Sequence, residues 1–272
     1  MMLYLRKLQS DSRYFQIIGQ STFLLAGIFI MDWYVHLPLF LWAIFGSVAF
    51  QMLAIYFGLA EGNSLRSALI TGLGLSLLLR VNHPLMMVTA AALAIGQKFV
   101  FKYKGYHFWN PANFGIGVLV LISNEAWISP AQWDHHLWVV GLIAVMGFFV
   151  LKTANRWDTA LFFGTTLALL CWVRFSWFLG WDWKVWWHQF NMGSFWLYTM
   201  FMITDPMTTP QRKWIRRLWA VVLGLVTFYL QHFKFIPTAA VWSLLMMTPL
   251  VPFINHLFPA ERWSWIPKAS KI

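Results

Sequence analysis

Long apolar stretches alternate with short polar turns along most of this 272-residue chain. A helix needs about 20 mainly apolar residues to cross a membrane, so each long stretch predicts one spanning segment. Ten segments result, at 15–33, 38–57, 67–80, 84–101, 108–123, 136–151, 159–178, 192–204, 217–232 and 238–254. The pattern therefore predicts an all-α integral membrane protein with about ten transmembrane helices, forming a single transmembrane domain over residues 1–272.

The third, fifth and eighth segments are too short to be ordinary spans. Such segments are typical of broken helices, whose irregular ends are buried in protein or line a cavity. The third and the eighth also end alike, in a polar residue followed by proline, at His83-Pro84 and at Asp205-Pro206. Short segments at matching positions of two oppositely oriented halves indicate inverted repeats with a site between them. We therefore predict two five-helix halves, residues 1–133 and 134–272.

Positive charge is abundant but unevenly distributed. The chain has a formal net charge of +11, although only 11% of its residues are charged. With the N-terminus in the cytoplasm, ten spans place all but Arg80, Arg174, Lys184 and Lys234, of 20 Lys and Arg, on the cytoplasmic side. This is the positive-inside pattern, so it predicts a lipid bilayer as partner, no nucleic acid, and both termini in the cytoplasm.

Several chemistries lack the residues that they need. Cys171 is the single cysteine, so no Cys-based metal or haem motif is present, and no metal site is predicted. The eight histidines fall in loops or at segment ends, which disfavours a haem between two helices. The tryptophans around 177–187 predict an interfacial aromatic belt, or alternatively a platform for a quinone ring or a partner helix. No catalytic residue is predicted.

The stretch HFWNPANFGIG, residues 107–117, places helix-disrupting residues at the start of an apolar segment. Pro111 disfavours helical geometry at Asn110, so Asn110 is expected to cap a helix that begins at Pro111. Gly115 permits close approach by another helix or a flat ring. Asn110, Pro111, Asn113 and Gly115 are therefore candidate cofactor-binding residues. The two open interpretations are a capped interfacial helix start and a half-helix whose positive end faces a polar group deep in the protein.

The stretch FMITDPMTTP, residues 201–210, ends a short apolar segment with a carboxylate and several hydroxyls. A carboxylate at a membrane helix end is costly unless it is paired, capping or hydrated. Asp205 is therefore expected either to cap backbone N–H groups or pair with an arginine, or to hold a polar ligand. Thr204, Asp205 and Thr208 join the candidate cofactor-binding residues.

Three blocks together resemble the RnfD/NqrB family, the membrane subunits of Rnf and sodium-translocating NADH:quinone oxidoreductase complexes. The blocks are SALITGLGLSLLL, KFVFKYKGYHFWNPANFGIGVLVLIS and FMITDPMTTPQRK, in the family's order, and the resemblance spans roughly residues 65–230. It implies an internally duplicated ten-helix fold similar to urea transporters. It also implies the bacterial inner (cytoplasmic) membrane and other membrane and redox subunits as partners.

The motif to which this family attaches a flavin is missing from the chain. Members typically carry FMN esterified to a threonine in a Ser-Gly-Ala-Thr type motif, which this chain lacks; Gly164-Thr165-Thr166 is the nearest sequence. The expectation is therefore FMN or riboflavin bound without a covalent bond. The chain also resembles the compact UnbU-like branch, which lacks the motif.

Two hypotheses of function remain. The first is a non-autonomous subunit of an oxidoreductase complex, positioning a flavin or a quinone near the repeat interface. The alternative is a channel or transporter for a small polar solute or ion, or a membrane scaffold for partner redox proteins. Lys98, Lys102 and Lys104 are interpreted as inside-positive anchors. The alternative is that they raise the potential of a flavin or attract an acidic donor protein.

Overall fold

The computed structural model describes residues 11–129 and 137–264, and it is built almost entirely of helices. Twelve α-helices are described in this part of the chain. They are α1 Ser12–Ile30, α2 Leu37–Tyr56, α3 Leu65–Leu78, α4 Pro84–Val100, α5 Pro111–Ile122, α6 Leu137–Ala154, α7 Trp157–Trp172, α8 Trp183–Phe190, α9 Gly193–Leu197, α10 Lys213–His232, α11 Ala239–Met247 and α12 Leu250–Leu257. Helix α7 continues as a π-helix over Val173–Phe178, and α9 over Tyr198–Met202. The predicted all-α fold is confirmed.

Each of the ten apolar segments contains a described helix. Within residues 11–129 and 137–264, two helices, Trp33–Tyr56 and Trp157–Phe178, are by length and composition able to cross a membrane. Helices α11 and α12, bent by 48° at the break between them, would together form a third span. Several of the others are apolar but short, so the count of ten spans stays a prediction.

Local sequence signals explain where many helices begin and end. Prolines open α4 and α5, where the missing N–H costs nothing because that position has no helical partner. The carboxylate of Asp11 accepts the N–H of Arg13 at the start of α1 and also pairs with its guanidinium. Pro249 lies at the break between α11 and α12, since proline removes a helical hydrogen bond. Proline and capping residues therefore set several helix boundaries.

Several helix pairs that contact each other in the first half have a counterpart pair in the second half. In the first half α1 packs on α3, α2 on α4, and α4 on α5. In the second half α6 packs on α9 and its π-helical extension, α7 on α10, and α10 on α11. Contacts of α1 with α6 and of α5 with α11 join the halves. This correspondence suits an inverted repeat, although the duplication itself stays a prediction.

Two glycines mark the closest helix contacts. A Cβ atom at Gly72 of α3 would lie 2.7 Å from the Cα of Ile44 in α2. A Cβ atom at Gly115 of α5 would lie 2.6 Å from the carbonyl oxygen of Ala90 in α4. Such distances leave no room for a side chain, so these glycines let the neighbouring backbones touch.

Two short antiparallel ribbons lie at helix ends. Strand β1, Leu79–Val81, pairs with β4, Ala126–Ile128, while β2, Lys102–Tyr103, pairs with β3, Tyr106–His107. The first ribbon joins loops on the predicted non-cytoplasmic side, and the second follows α4 on the predicted cytoplasmic side. The predicted boundary at 133/134 and the basic residues Arg6, Lys7, Lys268 and Lys271 lie outside the described residues.

Large apolar side chains cover much of the exterior, as a lipid-facing surface requires. Phe29, Phe45, Phe57 and Leu169 are each more than 60% exposed. A helix that the apolar pattern did not predict, α8, carries exposed Trp183 and Trp187 next to exposed Trp177 and Trp181. The side chain of Asp182 starts α8 by accepting the N–H of Lys184. This aromatic surface suits a membrane–water interface.

Candidate functional site between the two halves

The start of α5 has the geometry that its sequence predicts. Asn110 has extended backbone angles, and its side-chain oxygen accepts the N–H of Asn113 at 3.0 Å. Pro111 is the first helical residue. The predicted cap is thus confirmed, and it leaves the amide nitrogen of Asn110 free to bond elsewhere.

That amide nitrogen joins the two halves of the chain. Asn110 Nδ2 donates to Asp205 Oδ2 at 3.2 Å, although the two residues are 95 positions apart. The other oxygen of the carboxylate, Oδ1, accepts the N–H of Met207 at 3.0 Å. Asp205 therefore caps the turn after α9, as one of its two predicted roles requires. Asp205 also accepts a hydrogen bond from Asn110, the residue that caps α5.

A small polar cavity of about 50 Å³ adjoins this pair, and we refer to it as the polar cavity. Its lining includes Asn110, Pro111 and Asp205, together with polar side chains of α1 and α3: Arg13, Gln16, Gln20, Ser67 and Thr71. Gln20 is only 4% exposed, and its Oε1 atom has no hydrogen-bond partner among the described residues. A cavity needs at least about 10–15 Å³ to hold one water molecule, so this space is large enough for water.

The remaining predicted site residues lie behind this lining. Asn113 is 1% exposed and donates from Nδ2 to the carbonyl of Val241 at 3.2 Å. Gly115 packs on α4, and the hydroxyl of Thr204 donates to the Met200 carbonyl of its own helix. Thr208 makes a long contact of 3.5 Å with the Asp205 carbonyl. The structure thus brings the seven residues to one region, and their role in binding a cofactor stays a prediction.

A second cavity, of about 280 Å³, is larger and mainly apolar, and we refer to it as the apolar cavity. Its walls come mainly from α7, α8, α9, α10 and α11, with Phe190, Phe195, Tyr198 and Val241 among the lining residues. Its polar groups come from Gln189, Ser194, Thr227, Gln231 and Thr238, and none of the lining residues that the structure describes is charged. Leu78, at the end of α3, lines both this cavity and the polar cavity.

Lys98 and Arg216 are buried, although the sequence pattern predicts both as anchors at the cytoplasmic side of the membrane. Lys98 donates to Ser67 Oγ at 3.2 Å and to Gln51 Oε1 at 3.4 Å, beside the polar cavity. Arg216 of α10 forms a two-pronged ion pair with Asp158 of α7, at 2.8 and 3.1 Å. Their position at the ends of apolar segments gave no signal of this, because an anchoring residue occupies the same place in the sequence.

Arg156, which precedes α7, holds the loop that follows Asp205. It donates to Thr209 Oγ1 at 3.3 Å and to Gln211 Oε1 at 3.2 Å, and its guanidinium lies over the ring of Trp263. Gln211 in turn donates to the carbonyls of Pro206 and Thr209. Burial and the neighbouring charge of Arg216 lower the pKa of Arg156 to about 9, so it remains a cation at neutral pH.

Several groups around Asp205 act on the pKa of its carboxyl in opposite directions. Burial raises its pKa above the ordinary value, while the hydrogen bonds from Met207 and Asn110 and the charges of Lys98 and Arg156 oppose that rise. The charge on this carboxylate therefore depends on the contacts that surround it. A change in Asn110, Lys98 or Arg156 would shift its pKa further upward.

Comparison with known proteins gives one family. Residues 132–263 match the model of the NQR2, RnfD, RnfE family, which is slightly less than half of the chain. The matched part contains the FMITDPMTTPQRK block, whereas the two other blocks that carry the resemblance precede it. No curated protein matches the chain. The match supports an RnfD/NqrB-like membrane subunit of an Rnf/NQR-type complex in general.

Proposed function

We propose that this chain, as an RnfD/NqrB-like membrane subunit, holds a flavin or a quinone near the interface of its two halves. The bound group would take part in electron transfer within the complex. The observation that supports this most strongly is the apolar cavity of about 280 Å³. That volume is near the lower end of the roughly 300–1,000 Å³ typical of small-molecule sites. The proposal includes a bacterial cytoplasmic membrane with both termini in the cytoplasm.

The lining of the apolar cavity suits the flat ring of a quinone or a flavin. Phe190 and Phe195 offer apolar surface, while Gln189 and Gln231 offer the amide groups that a ring carbonyl requires. The polar cavity is too small for such a ring and suits water. Asn113 connects the two regions, because it lies in the helix that Asn110 caps and bonds to Val241 in the apolar wall.

In this proposal the bound group supplies the electron chemistry, as redox cofactors do. The chain contributes position and environment. The apolar walls exclude water from the ring, and the Asn110–Asp205 bond fixes the start of α5 against the loop after α9. FMN or riboflavin would be held without a covalent bond, and the partner subunits would provide the donor and the acceptor.

The first experiment is spectroscopy of the detergent-purified chain, with absorbance and fluorescence recorded before and after acid precipitation. Flavin released into the supernatant supports a non-covalent cofactor, and flavin in the pellet indicates a covalent one. Organic extraction of the same sample tests for quinone. Folded protein that contains neither, and that binds neither added FMN nor a soluble quinone analogue, would contradict the proposal.

A second candidate function is a path for a small polar solute or ion. It is favoured by one observation, namely that Leu78 lines both cavities. Solute or sodium flux in proteoliposomes tests it, with Leu78→Ala expected to increase the flux and Leu121→Ala, on the exposed face of α5, as the control. If folded protein shows neither ligand nor flux, the scaffold interpretation is favoured.

A further inference from the structure

A third cavity, of about 130 Å³, lies on the predicted cytoplasmic side, and we refer to it as the basic pocket. Three segments that are distant in sequence enclose it. They are the β2–β3 hairpin with Phe108, the loop residues Met207 and Gln211, and the stretch from Val251 to Arg262. Met207 also donates its N–H to Asp205, so the pocket borders the loop of the candidate site.

The lining of the basic pocket is cationic and aromatic. Lys104 and Arg262 are the permanent cations among the described residues that line it, and none of those residues is an aspartate or a glutamate. The guanidinium of Arg262 lies 3.4 Å from the centre of the Tyr106 ring, and Lys104 Nζ lies 5.5 Å from that of Tyr103. Neither cation forms an ion pair with a carboxylate within residues 11–129 and 137–264.

The hairpin turn fixes the position of Lys104. Lys104 and Gly105 both have positive φ, at 49° and 83°, which is the geometry of a tight two-residue turn. Glycine adopts this conformation readily, whereas lysine rarely does. The turn thus holds a cation at the rim of the pocket at a conformational cost.

The surroundings of the pocket are electropositive as well. Burial, and then the charges of Lys98, Arg262 and Lys102, lower the pKa of His107 to about 3. His107 is therefore neutral at physiological pH and can still donate one N–H. Asn255 accepts the N–H of Gln211 through its Oδ1 atom, which leaves its amide nitrogen as a further donor.

We propose that the basic pocket binds a phosphate group, carried by a small soluble phosphate or by an anionic lipid headgroup. Arginine presents a planar fork that matches phosphate oxygens, and lysine adds a second positive charge. The amide nitrogen of Asn255 provides a neutral donor beside them. The site is separate from the flavin or quinone site and does not depend on that function.

The test uses the full-length chain purified in detergent, with Lys104→Gln and Arg262→Gln as pocket variants. Arg212→Gln is the matched control for charge, because Arg212 lies on the same predicted side with its guanidinium over Trp214. Lys234→Gln is the matched control for Lys104, since its ammonium lies over a tyrosine ring on the opposite side. A thermal melt of each variant shows that it is folded, and Lys104, at an exposed turn, is the variant that least disturbs the fold.

Two probes distinguish the sources of the phosphate. Titration calorimetry with inorganic phosphate tests the soluble source, and native mass spectrometry after exposure to phosphatidylglycerol or phosphatidylcholine tests the lipid source. Inorganic phosphate carries no ring, so this result is independent of flavin binding. We expect each pocket variant to weaken binding of the recognised probe about tenfold, because a charge-assisted hydrogen bond contributes that much.

The outcomes are distinct. Binding of inorganic phosphate that both pocket variants weaken and both controls retain supports a soluble ligand. Selective retention of phosphatidylglycerol with the same dependence supports a lipid ligand. The proposal is overturned if the wild-type chain binds neither probe, or if the control variants lose binding as much as the pocket variants do.

Discussion

The polar cavity and the apolar cavity are built from similar parts but have different linings. The polar cavity lies where the Asn110-Pro111 start of α5 meets the end of the α9 segment. The apolar cavity lies where the Pro237-Thr238 start of α11 meets the beginning of α9. The polar cavity is lined by the charged side chains of Arg13 and Asp205, whereas no charged residue lines the apolar cavity in the described part of the chain. The helix arrangement therefore sets where a cavity forms, and the side chains determine what it can hold.

The largest effect is expected from removing the carboxylate of the polar region. Asp205→Ala leaves the amide of Asn110 and the N–H of Met207 without their partner, at about 1–3 kcal/mol for each unsatisfied group. We expect the free energy of unfolding to fall by about 2–4 kcal/mol, measured by denaturant unfolding in detergent.

The control for this change is Asp182→Ala. Asp182 also accepts a backbone N–H, that of Lys184, but it lies in an exposed loop. Losing such a cap costs about 1 kcal/mol. Equal losses in the two variants would show that Asp205 is an ordinary cap and that its bond to Asn110 adds nothing.

Ligand binding in the apolar cavity should be weakened by a larger apolar side chain in its wall rather than by the removal of a charge. Ser194→Leu adds apolar volume to its wall, so the affinity for a quinone analogue or FMN should fall at least tenfold, about 1.4 kcal/mol. Equilibrium binding to the purified chain measures this. Thr165→Leu, on the exposed face of α7, is the control and should bind as the wild type does. Unchanged affinity in Ser194→Leu would place the ring elsewhere.

Two adjacent threonines provide a finer test of the polar region. The hydroxyl of Thr209 donates to the Asp205 carbonyl at 3.1 Å and accepts from Arg156, whereas that of Thr208 makes only a 3.5 Å contact. Thr209→Val should cost about 1–2 kcal/mol of unfolding free energy, and Thr208→Val less than about 0.5. The same unfolding experiment compares them, and the reverse order would contradict the hydrogen-bond assignment.

The smallest effect is expected at Gln20. Its Oε1 atom has no partner among the described residues, so Gln20→Leu removes no protein hydrogen bond through that atom. The unfolding free energy should change by less than about 1 kcal/mol. Gln51→Leu is the matched control, since Gln51 is equally buried but bonds to Lys98 and Ser64, and it should cost about 2 kcal/mol. A large loss at Gln20 would indicate a bound ligand or ordered water there.

Several local features of the candidate site could be predicted from the sequence. The Asn110 cap, the helix start at Pro111 and the capping role of Asp205 depend on residues within three positions. The burial of Lys98 and Arg216 could not be predicted, because a lysine or arginine at a segment end has the same sequence signature whether it faces water or protein. Arg156 could not be predicted as a site residue either, because an arginine near a segment end has the same sequence signature in water and in protein.

The sequence by itself determined the apolar segments, their polar boundaries and the capped start of α5. These follow from side-chain polarity and from proline, both of which act over a few residues. Only the tertiary structure decided that Asn110 meets Asp205, that Gln20 and Ser67 complete the polar cavity, and that Lys104 and Arg262 line the same basic pocket. The physical reason is that a cavity is the space left where helix faces distant in sequence fail to fill each other. That space depends on the packing of all the helices around it.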